Sequence, residues 1–202
     1  MSIKAVLFDL GKVLIHFDFE PAFKRLAKHC KKNPSDIRDF FASSELEVLY
    51  DGGKISSYHF YRNVKRDLGL SLSYVQFQHL WNSIFTPVPG MAGLIHRVAR
   101  RKRLVLVSNT NQMHFSYVKK HYPVLKKFHA HVLSYKEKVR KPDERIYRIA
   151  LKACNAKAHE VIYIDDREDL TSAAKELGFH VHTFKNDRPK LEKLLRKHGV
   201  LK

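Results

Sequence analysis

Apolar residues recur along this 202-residue chain in two rhythms, and the change between them divides it. The opening stretch, Ile3-Lys4-Ala5-Val6-Leu7-Phe8, is a short apolar run rich in branched and aromatic side chains. It predicts a buried strand of a parallel sheet, ending on Asp9 and followed by Leu10-Gly11. From Ile15 to Thr86 the spacing is helical and no strand is expected. Asp18-Phe19-Glu20-Pro21 starts a first helix with Phe23, Leu26, Ala27 and Cys30 on one face. Asn33-Pro34-Ser35-Asp36 starts a second, through Ile37, Phe40 and Phe41. A third, around Leu46 and Leu49, ends at the turn Tyr50-Asp51-Gly52-Gly53. Ser56 or Ser57 caps a fourth, which buries Phe60 and Val64 and stops at Gly69; a fifth carries Phe77, Leu80, Trp81 and Ile84. Thr86-Pro87-Val88-Pro89-Gly90 closes the block.

Beyond it, strands and helices alternate. A helix around Leu94, Ile95 and Val98 precedes the strand Leu104-Val105-Leu106-Val107. A helix from Asn111 to His121, the strand Ala130-His131-Val132-Leu133 and a helix from Pro142 to Cys154 come next. The strand Val161-Ile162-Tyr163-Ile164, a helix through Ala173, Ala174 and Leu177, a strand from Phe179 to Phe184 and a helix from Pro189 to His198 complete the chain. This alternation predicts an α/β fold with a doubly wound parallel sheet. The expected organisation is an α/β core of residues 1–14 and 87–202, with residues 15–86 inserted as an all-helical unit.

Composition adds limits. Hydrophobic content of 44% and charged content of 29% suit an ordinary globular protein, and no apolar run approaches the roughly 20 residues of a membrane span. The N-terminal apolar run is short, ends in Asp9 and has no small-residue cleavage site, so no signal peptide is expected. Cys30 and Cys154 form no CxxC and read as free buried thiols in a reducing cytoplasm, the expected location.

Charge changes the picture more. The net charge is +18 and the sequence pI near 9.9. Basic groups recur throughout, as in Lys24, Arg25, Lys28, Lys31 and Lys32, or Arg100, Arg101, Lys102 and Arg103. Such a surface attracts nucleic acid, a membrane surface or anionic small molecules. No zinc-finger spacing, RNP motif or heptad-linked basic region accompanies it, so a solvated basic surface that draws in anionic substrates is the preferred reading.

Candidate chemistry sits at the strand ends, where open α/β sheets carry their ligand sites. The first strand gives Asp9, the second Ser108-Asn109-Thr110-Asn111 at a helix N-terminus, and the fourth Asp165-Asp166. Arg140-Lys141-Pro142 adds a cation at the mouth of another helix. Carboxylates from two strand ends suit a hard cation such as Mg²⁺, which takes one or two of them plus water and phosphate. With a hydroxyl, amides and a lysine around the ion, the set describes a phosphoryl clamp.

These four segments resemble the four motifs of the haloacid dehalogenase superfamily of hydrolases. Phe8-Asp9-Leu10-Gly11-Lys12-Val13 is similar to the nucleophile motif and Val107-Ser108-Asn109-Thr110-Asn111 to the second. Arg140-Lys141-Pro142-Asp143 is similar to the third, and Tyr163-Ile164-Asp165-Asp166-Arg167-Glu168-Asp169 to the fourth. The helical insert resembles the cap of members that carry a lid after the first motif, on the Rossmann-like core of the superfamily. Within it, the chain looks most like sugar-phosphate phosphatases of the glucose-1-phosphate phosphatase kind. The resemblance implies Asp9 as nucleophile, forming an aspartyl-phosphate. It implies Mg²⁺ held by Asp9, Asp165, Asp166 and the Gly11 carbonyl, with Ser108 and the Asn109 amide on phosphoryl oxygens and Lys141 offsetting charge. Substrate identity is expected in the cap, at Asp51 to Lys54, and a small phosphorylated metabolite is the expected partner.

Departures from the pattern refine this. Most phosphatases of the superfamily carry a second aspartate two positions after the nucleophile, as general acid–base; this chain has Gly11. Losing such a group costs roughly 10² to 10⁴ in rate, which a sugar 1-phosphate, with its better leaving oxygen, tolerates best. His16 is one candidate replacement, against the plainer reading of a hinge or packing histidine. Lys138 stands where relatives often have glycine and Lys12 where they have glycine or asparagine, both adding positive charge near the pocket, and Leu170 replaces a common polar residue of the fourth motif. Two alternatives remain: a catalytically weak nucleic-acid- or partner-binding member, motivated by Gly11 and the charge, and a haloacid dehalogenase, which the Asp165-Asp166 pair disfavours.

Overall fold

The computed structural model describes residues 2–202. Its elements, in chain order, are β1 (Ala5–Phe8), β2 (Ile15–Phe17), α1 (Glu20–Leu26), α2 (Pro34–Ser43), α3 (Leu46–Asp51), α4 (Ser57–Leu68), α5 (Tyr74–Trp81) and β3 (Phe85–Pro87). Then come α6 (Met91–Ala99), β4 (Arg103–Ser108), α7 (Gln112–His121), β5 (Ala130–Leu133), α8 (Ser134–Glu137), α9 (Glu144–Cys154), β6 (Val161–Asp165), α10 (Glu168–Glu176), β7 (His180–Thr183) and α11 (Arg188–Lys197).

Five strands form one parallel sheet in the order β5-β4-β1-β6-β7. Successive side chains of a strand point to opposite faces, and β1 shows both faces covered. Val6 and Phe8 pack with Leu94, Ile95 and Val98 of α6, Phe115 of α7 and Leu191 of α11. Ala5 and Leu7 pack on the other side with Ile146, Tyr147 and Ala150 of α9 and Ala174 of α10. Burial on two faces explains the near-continuous apolar strands and makes the sheet doubly wound.

Helices α1 to α5 gather around a separate aromatic cluster that includes Phe23, Phe41, Phe60, Phe77 and Trp81, joined by Met113 of α7. Their boundaries follow local chemistry. Asn33 and Ser73 form capping boxes, Ser56 caps α4, and Gly69 ends α4 in the left-handed region at φ 66°. Here the structure corrects the sequence reading in two places. Strands β2 and β3 pair antiparallel at the two ends of the segment expected to hold no strand. Three residues are too few to display a period, and Pro87 terminates the pairing as an edge proline can. Helix α5 also stops at Trp81, short of Ile84: the Ser83 amide closes the last turn on the Leu80 carbonyl, and the Ile84 carbonyl accepts from the Asp18 amide at 3.0 Å as the chain enters β3. Both cysteines are free; Cys154 is buried and Cys30, at the margin of its helix, only partly so.

Candidate active site

Parallel pairing brings the carboxyl ends of β1, β4 and β6 side by side. The Asp9 amide continues the ladder by donating to the Ile164 carbonyl at 2.8 Å. This sets Asp9 against Asp165, and ligand atoms of Asp9, Asp165 and Asp166 all lie within 4.8 Å of one another. Lys141 Nζ donates to Asp9 Oδ1 at 2.7 Å and to Asp165 Oδ2 at 2.6 Å. Tyr163 also donates its hydroxyl to Asp165 Oδ2, and the Arg167 amide donates to Asp165 Oδ1 at 3.0 Å. Asp165 is therefore fully engaged, whereas Asp166 is half-exposed beside it.

The loop carrying Lys141 is pinned by Asn109. Lys141 N donates to Asn109 Oδ1 at 2.9 Å, and Asn109 Nδ2 donates to the Lys141 carbonyl at 3.0 Å. Burial opposes the charge on Lys141, but Asp9 and Asp165 overcome it and hold its pKa up at about 12. Burial pushes Asp9 up to about 7 despite Lys141, with Asp165 adding to the rise. Burial and then Asp165 also raise Asp166. Three carboxylates share one ammonium here, and a carboxylate pair this close resists full ionisation without more positive charge.

Two adjoining clefts open on this edge. One, of ≈ 320 Å³, is lined by Asp9, Asp165, Asp166, Lys141, Lys12 and Arg140 among others. The second, of ≈ 180 Å³, is lined by Ser108, Glu47, Phe19, Phe85 and His114 among others. Gly11, Phe17, Asp51 and Asn109 border both. Eight of the nine sequence-derived candidates thus meet here: Asp9, Gly11, Asp51, Ser108, Asn109, Lys141, Asp165 and Asp166. Lys54 does not. It is exposed and lines neither cleft, because its turn docks through backbone and through Asp51. Ser134 Oγ donates to the Asp51 carbonyl at 2.5 Å, Asn111 Nδ2 donates to Asp51 Oδ1 at 3.0 Å, and Met113 N donates to Tyr50 Oη at 3.0 Å. His16 and Lys138 line neither cleft, while Lys12 and Leu170 line the larger. Lys12 and Lys138 both adopt left-handed backbone, at φ 56° and 54°, a conformation that small residues and asparagine take more easily.

Sequence reasoning missed Glu47, Phe17 and His114 as cleft residues. Glu47 carried one usable signal: it lies one helical turn before Asp51 and shares its face.

Comparisons with known proteins agree with this geometry. A family model described as haloacid dehalogenase-like hydrolase matches residues 3–178. Among solved structures, a haloacid dehalogenase family enzyme from Bacteroides thetaiotaomicron, in complex with magnesium and inorganic phosphate, superposes with a TM-score of 0.83. It is 27% identical, over 92% of this chain and 96% of that one. A HAD-like family hydrolase described from Porphyromonas gingivalis has a TM-score of 0.81 at 26% identity, over 97% and 99%. L-2-haloacid dehalogenase from Xanthobacter autotrophicus shares the fold, at a TM-score of 0.65 and 19% identity, over 89% of this chain and 76% of that one. Mouse acyl-CoA dehydrogenase family member 10 is 27% identical over 93% of this chain, which spans only 18% of that relative's length.

Proposed function

The chain belongs to the haloacid dehalogenase-like hydrolase family, and from that premise we propose that it is a Mg²⁺-dependent phosphatase of a small phosphorylated metabolite, with a sugar phosphate the favoured class. One observation carries the reading. Asp9, Asp165 and Asp166 face one another with Lys141 the only cation paired to them among the described residues, leaving an excess of negative charge that a divalent cation would balance. An all-carboxylate donor set fits a hard ion. Asp9 and Asp166 would hold it directly with the Gly11 carbonyl, and Asp165, already engaged, would steady the set. The ion, when bound, supplies positive charge to the phosphoryl group and to Asp9. The magnesium and phosphate of the Bacteroides relative support this choice.

The chain's own residues do the rest. Lys141 fixes Asp9 Oδ1, leaving Oδ2 toward Gly11 to attack phosphorus. A covalent aspartyl-phosphate forms as the alcohol departs, and water then hydrolyses it. Ser108 and the Asn109 amide are suited to the phosphoryl oxygens. Residues 15–86 would act as a cap over a core of residues 1–14 and 87–202, hinged at β2 and β3. Asp51 would contact the leaving group; Lys54, outside both clefts, would act only at the rim. Gly11, with no side chain to protonate the leaving oxygen, favours a sugar 1-phosphate.

A screen of phosphorylated metabolites, with and without Mg²⁺, tests the reading. Mg²⁺-dependent phosphate release that disappears in Asp9→Asn is expected. Undiminished turnover in that variant refutes the nucleophile assignment, and chelator-insensitive chloride release from haloacids would replace the reading with a dehalogenase.

A further inference from the structure

We propose that Glu47 of α3, in the helical block, is the general acid that this site lacks at residue 11, an inference that rests on the phosphatase reading above. The other candidates fail on geometry or protonation. A Cβ on Gly11 would lie 2.8 Å from Phe17 Cε1, so the usual position is filled. His16 borders neither cleft. His114 borders the smaller one, but burial holds it down at about 3, so it has no proton to give near neutrality. Burial raises Asp51 as well, against Asn111 and Arg140, but its carboxyl is already held: Oδ1 accepts from Asn111 Nδ2 at 3.0 Å.

Glu47 differs from all of these. It lines the ≈ 180 Å³ cleft together with Gly11, Ser108 and Asn109. Its carboxyl has no hydrogen bond and no ion pair within 4 Å among the described residues, which leaves it free for a ligand. The charged groups acting on it are Asp51, one turn along the same helix, and Arg140, from the loop ahead of α9. Helices α4 and α8 pack on α3 and add no charge to these two, and His114 across the cleft is neutral. Burial and Asp51 push Glu47 up to about 7, with Arg140 only partly opposing. A carboxylic acid with that affinity is half-protonated at neutral pH, the range in which a general acid works best.

The step balances. Asp9 Oδ2 bonds to phosphorus, the bond from phosphorus to the leaving oxygen breaks, and that oxygen takes the Glu47 proton to leave as an alcohol. Water that later attacks the aspartyl-phosphate gives up the proton that recharges Glu47. A supplied proton extends the substrates from anomeric phosphates to esters of ordinary alcohols.

The test compares an alkyl phosphomonoester such as a sugar 6-phosphate, whose leaving oxygen needs a proton, with an aryl phosphate, whose phenolate does not. Glu47→Gln should lower kcat/KM on the alkyl ester by roughly 10² to 10⁴ and leave the aryl ester nearly unchanged. Native kcat/KM on the alkyl ester should fall as pH rises through about 7, a limb that Glu47→Gln abolishes and Glu47→Asp partly keeps. Equal losses on both esters, or none on the alkyl ester, overturn the proposal. Native protein that hydrolyses neither ester overturns the phosphatase reading itself, and the assignment of Glu47 with it.

Discussion

The ring of Phe17 stands in the space a side chain on Gly11 would use, with Cε1 2.8 Å from the position of a Cβ there. Phe17 is 37% exposed and Lys12 Nζ lies 5.5 Å from its ring centroid, so it can swing outward at modest cost. Gly11→Asp alone should therefore cost about 1 kcal/mol of stability, at the low end for overpacking, and hold its carboxyl badly placed. Adding Phe17→Ala clears the space. In a Glu47→Gln background the double substitution should raise kcat/KM on an alkyl phosphate about tenfold or more over Gly11→Asp alone. Equal rates with and without Phe17→Ala would show that Phe17 does not control this position.

Lys141 bridges Asp9 and Asp165 in a pocket where both are buried. Removing one partner of a buried ion pair costs about 3–5 kcal/mol, because the other charge stays unpaired. Lys141→Ala should lower the unfolding midpoint sharply in chelator, and Mg²⁺ should restore part of it by replacing positive charge. In the native protein Mg²⁺ should raise stability by about 2.7 kcal/mol at a hundred times its dissociation constant, and Asp166→Asn should weaken that response. Differential scanning with and without Mg²⁺ reads both, and identical midpoints would argue against the metal site.

Much of this site was legible because strand ends and motif residues coincide. Asp9, Ser108 and Asp165 each end an apolar run, and parallel pairing alone brings such ends together. What stayed hidden depended on long-range packing. Glu47 is an ordinary polar residue of a short helix until packing against the core buries it beside Asp51 and brings Arg140 near from far along the chain. Lys54, chosen for its place in a glycine turn, points away because the turn docks through Asp51 and Tyr50. The β2–β3 pair could not be read either, since three-residue strands have no period and their partners lie about seventy residues apart.

That docking makes a prediction about Gly53. Its φ is +65°, and a Cβ there would overlap the Tyr135 carbonyl. Gly69 has nearly the same φ, +66°, with nothing within 4 Å. Gly69→Ala should cost about 1 kcal/mol, the conformational term alone. Gly53→Ala should cost more and should lift the helical block from the sheet. Hydrogen exchange at the Met113 amide, which donates to Tyr50 Oη, should speed up only in Gly53→Ala. Equal protection in both variants would mean the turn is not what holds the two parts together.

His114 gives the fold a pH dependence of definite sign. It is buried beside Phe19, Trp81 and Phe85, with its Nδ1 on Asn82 Oδ1 at 3.0 Å. Burial lowers its pKa from 6.5 to about 3. Below pH 6.5 the unfolded chain therefore binds a proton that the folded chain refuses until about pH 3. Stability from the neutral ring is complete above 6.5 and is lost as pH falls through this window, by up to about 1.36 kcal/mol per pH unit. Carboxylates titrating in the same range are common to native protein and His114→Gln, so they cancel in the difference. Denaturant unfolding at pH 6.5 and 4.5 should show the native protein losing about 2–3 kcal/mol more than the variant. Parallel losses would mean that His114 takes up its proton without unfolding the chain.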